Sequence, residues 1–188
     1  MAIATLYEGD RPMPCDGPVH LRRAAVGDAS GIAQVHVEGW RTAHAGLVPE
    51  EYLACVSSRL HEGSWREELA VEASDRKPWV ALVDDRIVGF ASAGLSRDED
   101  AGSEVGEVYL VYVDPDCWGR GIGKSLIEHV VRDLRQHGFE RASFWVVADN
   151  AKARAFAERH GWQDDGETRF EDCGGTQVEQ VRYSLALR

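Results

Sequence analysis

The chain has 188 residues, 44% hydrophobic and 28% charged, with six Trp and a formal net charge of −11. That length suits one domain with a core of its own, and the composition excludes a disordered or fibrous chain. The excess of carboxylates argues against a nucleic-acid binder driven by phosphate neutralisation, and no apolar run is long enough to form a membrane-spanning helix.

Met1–Pro18, with three Pro, two Gly and no period, reads as a loose arm, and residues 19–188 as a single domain. Val19–Ala24 alternates as a first strand. Asp28 is placed to cap a helix running to about Ala45, with Ile32, Val35, His36, Gly39 and Trp40 at helical spacing and Gly46 as its stop. Pro49-Glu50-Glu51 opens a second helix, and helical pattern resumes from Glu62 to Glu72. The period then changes. Trp79–Val83 and Ile87–Leu95 flank a short turn at Asp84-Asp85-Arg86, Arg97–Ser103 is an acidic loop, and Glu104–Val113 is a β-branched, aromatic strand. Gly121–His137 is an amphipathic helix closed by Gly138, and Arg141–Val147 is a strand. Asn150 caps a helix to about His160, and a hairpin around Cys173-Gly174-Gly175 leads into a last strand, Val178–Leu187. The order β-α-α-β-β-β-α-β-α-β-β describes a mixed sheet with helices on its faces.

The four Cys, at 15, 55, 117 and 173, have no metal-ligand spacing, and the seven His include no HExxH and no i, i+4 pair, so no metal site is expected. No secretory signal is visible near Met1. Reduced thiols and a cytoplasmic location are the expectation.

The segment Val113-Asp114-Pro115-Asp116-Cys117-Trp118-Gly119-Arg120-Gly121-Ile122-Gly123-Lys124-Ser125 joins a strand to a helix. Glycines let a ligand approach the backbone, and the free N–H groups of the first helical turn favour an anion such as a pyrophosphate. A P-loop would need Gly at Trp118, and a dinucleotide fingerprint would need Gly at Lys124, so both readings fail. A glycine-rich connection without a ligand is the plainer alternative. A GxSxG elbow is absent, and Cys117 reads as packing.

Trp118-Gly119-Arg120-Gly121-Ile122-Gly123 resembles the acyl-CoA motif of the GNAT superfamily of N-acetyltransferases, Q/R-x-x-G-x-G/A. Asn150, Ala153, Arg154, Phe156 and Gly161-Trp162 resemble its second motif, N-x-x-A-x-x-F/L-Y-x-x-x-G-F/W, at the right separation. The resemblance implies a mixed, mostly antiparallel α/β sheet of six to seven strands flanked by helices, with a splayed central pair. It implies acetyl-CoA as acyl donor and an amine, in a small molecule or a peptide, as acceptor, joined by direct attack in a ternary complex. Neither nucleic acid nor membrane is an expected partner, and a homodimer is left open. By carry-over, main-chain groups of Val111 and Val113 would bond the pantetheine and the thioester oxygen, the N–H groups of Gly119, Arg120, Gly121, Ile122, Gly123 and Lys124 would hold the pyrophosphate, and Asn150 would bond the pantetheine.

Two departures matter. The usual Gln or Arg is Trp118, which removes a cation that Arg120 or Lys124 could supply. The usual general-acid Tyr is Ala157, leaving Tyr109, Tyr183 or water to protonate the leaving thiolate. Family members often place a base where Glu107 stands, and alternation would put Glu107, Tyr109, Val111 and Val113 on one face of their strand. The bland alternative for Glu107 is an exposed strand-end carboxylate. On the acceptor side, Trp40 and Tyr52 could wall a pocket and Glu38 could hold a cationic amine, or that segment could simply be core and solvated charge. A non-catalytic acyl-CoA sensor and a protein or peptide N-terminal acetyltransferase are the rival readings.

Overall fold

The structure is a computed structural model that describes residues 15–71 and 78–187. Most of the expected arm, residues 1–14, lies outside the described residues, as does Glu72 at the end of the expected third helix. Seven strands form one sheet: β1 (His20–Arg23), β2 (Trp79–Val83), β3 (Arg86–Leu95), β4 (Val105–Val113), β5 (Arg141–Val147), β6 (Gln163–Cys173) and β7 (Thr176–Ala186). Their order is β1-β2-β3-β4-β5-β7-β6, and every pairing is antiparallel except β4 with β5. A parallel pair needs a crossover, and α4 (Ile122–Gln136) supplies it.

The helices divide between the two faces. On one face α4 turns Ile122, Leu126, Val130 and Leu134 inward, at i, i+4 spacing, onto Val88, Ala91, Val108, Ala142 and Val146. Each such buried side chain contributes roughly 1.5–3 kcal/mol from area removed from water. The helix α5 (Ala151–Arg159) joins that core through Ala157. On the other face α1 (Ala29–His44) and α3 (Ser58–Ala70) pack Ile32, Val35, Trp65 and Leu69 against Val80, Leu82 and Phe90. The short α2 (Glu50–Cys55) lies between them in sequence. Gly39 lets α1 lie close over β4: a Cβ there would come within 2.6 Å of the Tyr112 ring.

Several local expectations change. Asp28 does not cap α1 with its side chain; the carboxylate instead accepts from Ala25 N–H at 2.7 Å and pairs with Arg22. The third helix starts at Ser58, a turn before the apolar residues that first reveal it. Cys15 is buried and Arg120 Nη2 donates to Gly17 O at 2.7 Å. Cys15 and Cys117 form a disulfide, with Cα atoms 5.5 Å apart, which replaces both the expected free thiols and the reading of Cys117 as packing alone. The two cysteines are 102 residues apart, a proximity only tertiary structure creates.

Candidate active site

The parallel pairing of β4 with β5 runs from Val105–Arg141 to Val108–Phe144 and then stops, although β4 continues to Val113 and β5 to Val147. The strands splay beyond that point. The gap opens into a cleft of about 1430 Å³ whose walls include β4, β5, the glycine turn, α5, α1 and β6. Asp114 N–H bonds Val88 O on β3. Because hydrogen-bonding direction alternates along an antiparallel edge, the main-chain groups of Val113 and Val111 turn the other way, into the gap. Val113 O already accepts from Trp118 Nε1 at 2.9 Å.

One end of the cleft is the glycine turn. Gly119 and Gly121 have φ of +80° and +76°, and a Cβ at either would meet no atom within 4 Å. This is open space against bare backbone, beside the unpaired N–H groups that begin α4. Gly123 lies behind, 3.5 Å from the Phe156 ring by the same construction. Lys124 and Lys152 line this end, Lys152 lying 5.2 Å from the Trp118 ring centroid. Arg120 is not among the lining residues, because its guanidinium is turned to Gly17. Asn150 lines the cleft, and its Oδ1 accepts from Ala153 N–H at 3.0 Å as a helix cap. The open cradle, the helix N-terminus and the lysines fit a pyrophosphate-bearing ligand.

The other end is set by a bulge. In the β3–β4 register Ser92 opposes Leu110 and Ala93 opposes Val108, so Tyr109 is the extra residue. Alternation resets there. Val108, Val111 and Val113 pack with the α4 face, while Leu110 and Tyr112 pack with the α1 face. Glu107, adjacent to Val108, therefore shares the face of Leu110 and Tyr112. The single-face expectation for Glu107, Tyr109, Val111 and Val113 is corrected by this one inserted residue. Ser143, Trp145 and Val147 of β5, and Val178, Gln180 and Arg182 of β7, stand on the same side by register.

Glu107 is 1% exposed, not a solvated strand end. Arg97 holds it, with Nη2 at 2.6 Å from Oε1 and both Nε and its backbone N–H on Oε2, at 3.3 and 2.9 Å. The hydrogen bond to Glu107 raises the Arg97 pKa. The Arg97 guanidinium also lies 4.1 Å from the Tyr109 ring. The loop after β3 is pinned by Arg182, which reaches Asp98, Asp100 and Asp165, and by Trp145 Nε1, which donates to Asp98 Oδ1 at 2.9 Å.

Of the acid candidates, Tyr183 is fully buried with its hydroxyl between Arg154 and Glu158 and does not line the cleft. Tyr109 lines it, but its hydroxyl donates to Leu95 O at 2.6 Å. Ala157 is buried in the core, and the α5 residues on the cleft are Ala151, Lys152, Ala153, Phe156 and Arg159, followed by His160 just past the helix end. Trp40 lines the cleft. Tyr52 packs on the β6–β7 turn at Gly174, and Glu38 faces a separate small groove with Gln34 and Arg41. His36 also lines the cleft, ringed by His61, Trp65, Phe90 and Tyr112. Burial and the neighbouring His61 lower its pKa to about 4, and its Nδ1 is buried without a partner. Sequence reasoning placed His36 only as one residue of the first helix and missed Arg97, Trp145, Arg169 and Gln180. Each is brought to the cleft by register or packing, and only the same-face spacing of Arg169 and Glu171 was visible in the chain. Among the described residues no cluster of three His, Cys, Asp or Glu is placed to hold a metal, and no helix is long and apolar enough to cross a membrane.

The uncharacterized N-acetyltransferase YuaI of Bacillus subtilis is 30% identical over 159 residues, which is 83% of this chain and 87% of that protein. A mycothiol acetyltransferase of Saccharomonospora viridis is 40% identical over 131 residues, 61% of this chain but only 42% of its own length. The chain thus spans less than half of that longer relative. The solved PaiA N-acetyltransferase of Thermoplasma acidophilum, in complex with coenzyme A, has the same fold, with a TM-score of 0.69 at 18% identity over 90% of this chain and 99% of that one. The family model of the acetyltransferase (GNAT) family matches residues 41–162. That match runs from α1 through the splayed strands and the glycine turn to the end of α5, and the chain belongs to that family.

Proposed function

We propose that this acetyltransferase moves the acetyl group of acetyl-CoA to an amine, by direct attack with both reactants in the β4–β5 cleft. The observation that carries the reading is the cleft itself: an open glycine cradle and a helix N-terminus at one end, a buried carboxylate at the other, and unpaired strand edge between. The coenzyme A bound to PaiA and the acetyl transfer named for the mycothiol enzyme support the donor.

Acetyl-CoA supplies the acyl group as an activated thioester. In this reading the N–H groups from Gly119 to Lys124 hold the pyrophosphate, with Lys124 and Lys152 adding charge that Trp118 cannot. Val111 and Val113 main-chain groups and Asn150 Nδ2 align the pantetheine, and a strand N–H in the gap polarises the thioester carbonyl. Positioning the amine against that carbonyl lowers the barrier further. An alkyl ammonium must first lose a proton, and Glu107 accepts it through water, because Arg97 already places two donors on Oε2 and one on Oε1 and leaves only Oε1 with an open bonding site. With Tyr183 and Ala157 off the cleft, the departing thiolate takes its proton from water. The same reading sets the enzyme in the cytoplasm. Disulfides are rare there, so a Cys15–Cys117 link found intact in protein trapped directly from cells would argue against that location.

The test is CoA release from acetyl-CoA across an amine panel. Glu107→Gln lowers kcat/KM by about 10²-fold, the loss shrinking at high pH where free amine is plentiful, with CoA affinity nearly unchanged. Full activity of that variant at neutral pH removes Glu107 as the base. Tight CoA binding with no release for any amine between pH 7 and 9 replaces the enzyme reading with a sensor.

A further inference from the structure

The acceptor face carries a charge pair that proton abstraction leaves unexplained. Arg169 and Glu171 are two residues apart on β6, so they share a face, and both line the cleft. Gln180, buried on β7 directly opposite Arg169, ties them together. Arg169 Nε donates to Gln180 Oε1 at 2.7 Å, and Gln180 Nε2 donates to Glu171 Oε2 at 2.7 Å. The amide uses one atom of each charged group and leaves the rest. The Arg169 guanidinium carbon is held 4.2 Å from the Trp145 ring centroid, which restrains it over the aromatic face. Its ion pair, with Asp98, is 3.9 Å long, beyond hydrogen-bond length. Burial lowers the Arg169 pKa despite the opposing pull of Glu107, Asp98 and Glu171. In a chain of net charge −11, the Arg169 side chain keeps 42% of its surface open to solvent, its terminal nitrogens make no hydrogen bond among the described residues, and a carboxylate matches such a fork in a planar, two-bond fashion.

We infer that the acceptor is an amine that also carries a carboxylate, an amino acid or a compound of that kind, with Arg169 as the receptor for the carboxylate. The inference rests on the N-acetyltransferase reading and narrows it. Glu107 and Glu171 flank the same face and suit the ammonium end. A simple alkylamine or polyamine would leave the Arg169 fork unmatched and, if dicationic, would meet Arg97 and Arg169 with like charge.

The experiment measures kcat/KM for matched acceptors: amino acids from the aliphatic, aromatic and acidic groups, their carboxamides and their decarboxylated amines. In at least one set the acid exceeds its decarboxylated amine by about 10- to 100-fold. Arg169→Gln reduces that ratio by about tenfold or more, and Arg169→Lys, which keeps the charge but not the fork, retains part of it. Equal use of acid, carboxamide and amine in every set overturns the inference, as does a variant that slows acid and amine by the same factor. A fully active Glu107→Gln enzyme would remove the base and leave this acid-to-amine ratio standing. Failure of every amine to release CoA would overturn both readings.

Discussion

Glu107 shows how little of a residue's chemistry its position in a chain conveys. Its place ahead of the glycine turn could be matched to a family pattern, but its burial and its bonds to Arg97 follow from a loop that folds back across the sheet. His36 is the reverse case: on sequence it is one more residue on an amphipathic helix, and in the structure its ring is enclosed by aromatic neighbours. Its folded pKa of about 4 lies below the ordinary 6.5. The unfolded chain therefore takes up a proton first as pH falls. The stability is complete above pH 6.5 and is lost as pH drops from 6.5 toward 4, by about 2 kcal/mol at pH 5. Urea unfolding at pH 7 and pH 5 checks this: His36→Leu is expected to show a smaller acid loss than the native chain by about that amount. An identical pH dependence in both proteins would refute it.

Among the elements, the glycine turn was legible and the bulge was not. A left-handed residue leaves a mark in sequence because only glycine adopts it cheaply, whereas a bulge at Tyr109 uses an ordinary strand residue and is decided by the partner strand. Gly121 tests the turn. At φ +76° with open space around it, a side chain costs about 1–2 kcal/mol in backbone strain and stands in the ligand's path. Gly121→Val is expected to weaken CoA binding by about tenfold or more in calorimetry, with the protein still folded. Gly63, in the interior of α3 and also in open space, supplies the contrast: Gly63→Ala stabilises by about 0.4–1 kcal/mol with CoA affinity unaltered. Equal CoA affinity in the Gly121 variant would remove the turn as the pyrophosphate site.

At the scale of the whole molecule, the Cys15–Cys117 disulfide closes β1–β4 and α1–α3 into one loop and ties Cys15 beside the glycine turn, where Arg120 also holds Gly17. A cross-link over 102 residues restricts the unfolded chain and contributes about 2–4 kcal/mol. Cys15→Ser is expected to lower the unfolding free energy by that amount under oxidising conditions, and reduction of the native protein should bring it level with the variant. Native protein whose denaturation midpoint ignores reductant would show that the link contributes nothing.

The chain by itself determined what depends on neighbours a few residues apart: the strands, the α4 stripe from Ile122 to Leu134, the helix cap at Asn150 and the glycine turn after β4. Two motifs at the right separation were enough for the family. Tertiary structure alone decided what depends on register and on distant partners. The face that Glu107 occupies is set by one bulged residue. The Arg169–Gln180–Glu171 group is set by pairing across the β6–β7 hairpin, the surroundings of His36 by the seating of α1 over β4, and the Cys15–Cys117 link by the closing of the chain on itself. Side-chain periodicity is a local property of the backbone. Register, burial and charge pairing are sums over contacts between segments that no short window of sequence contains.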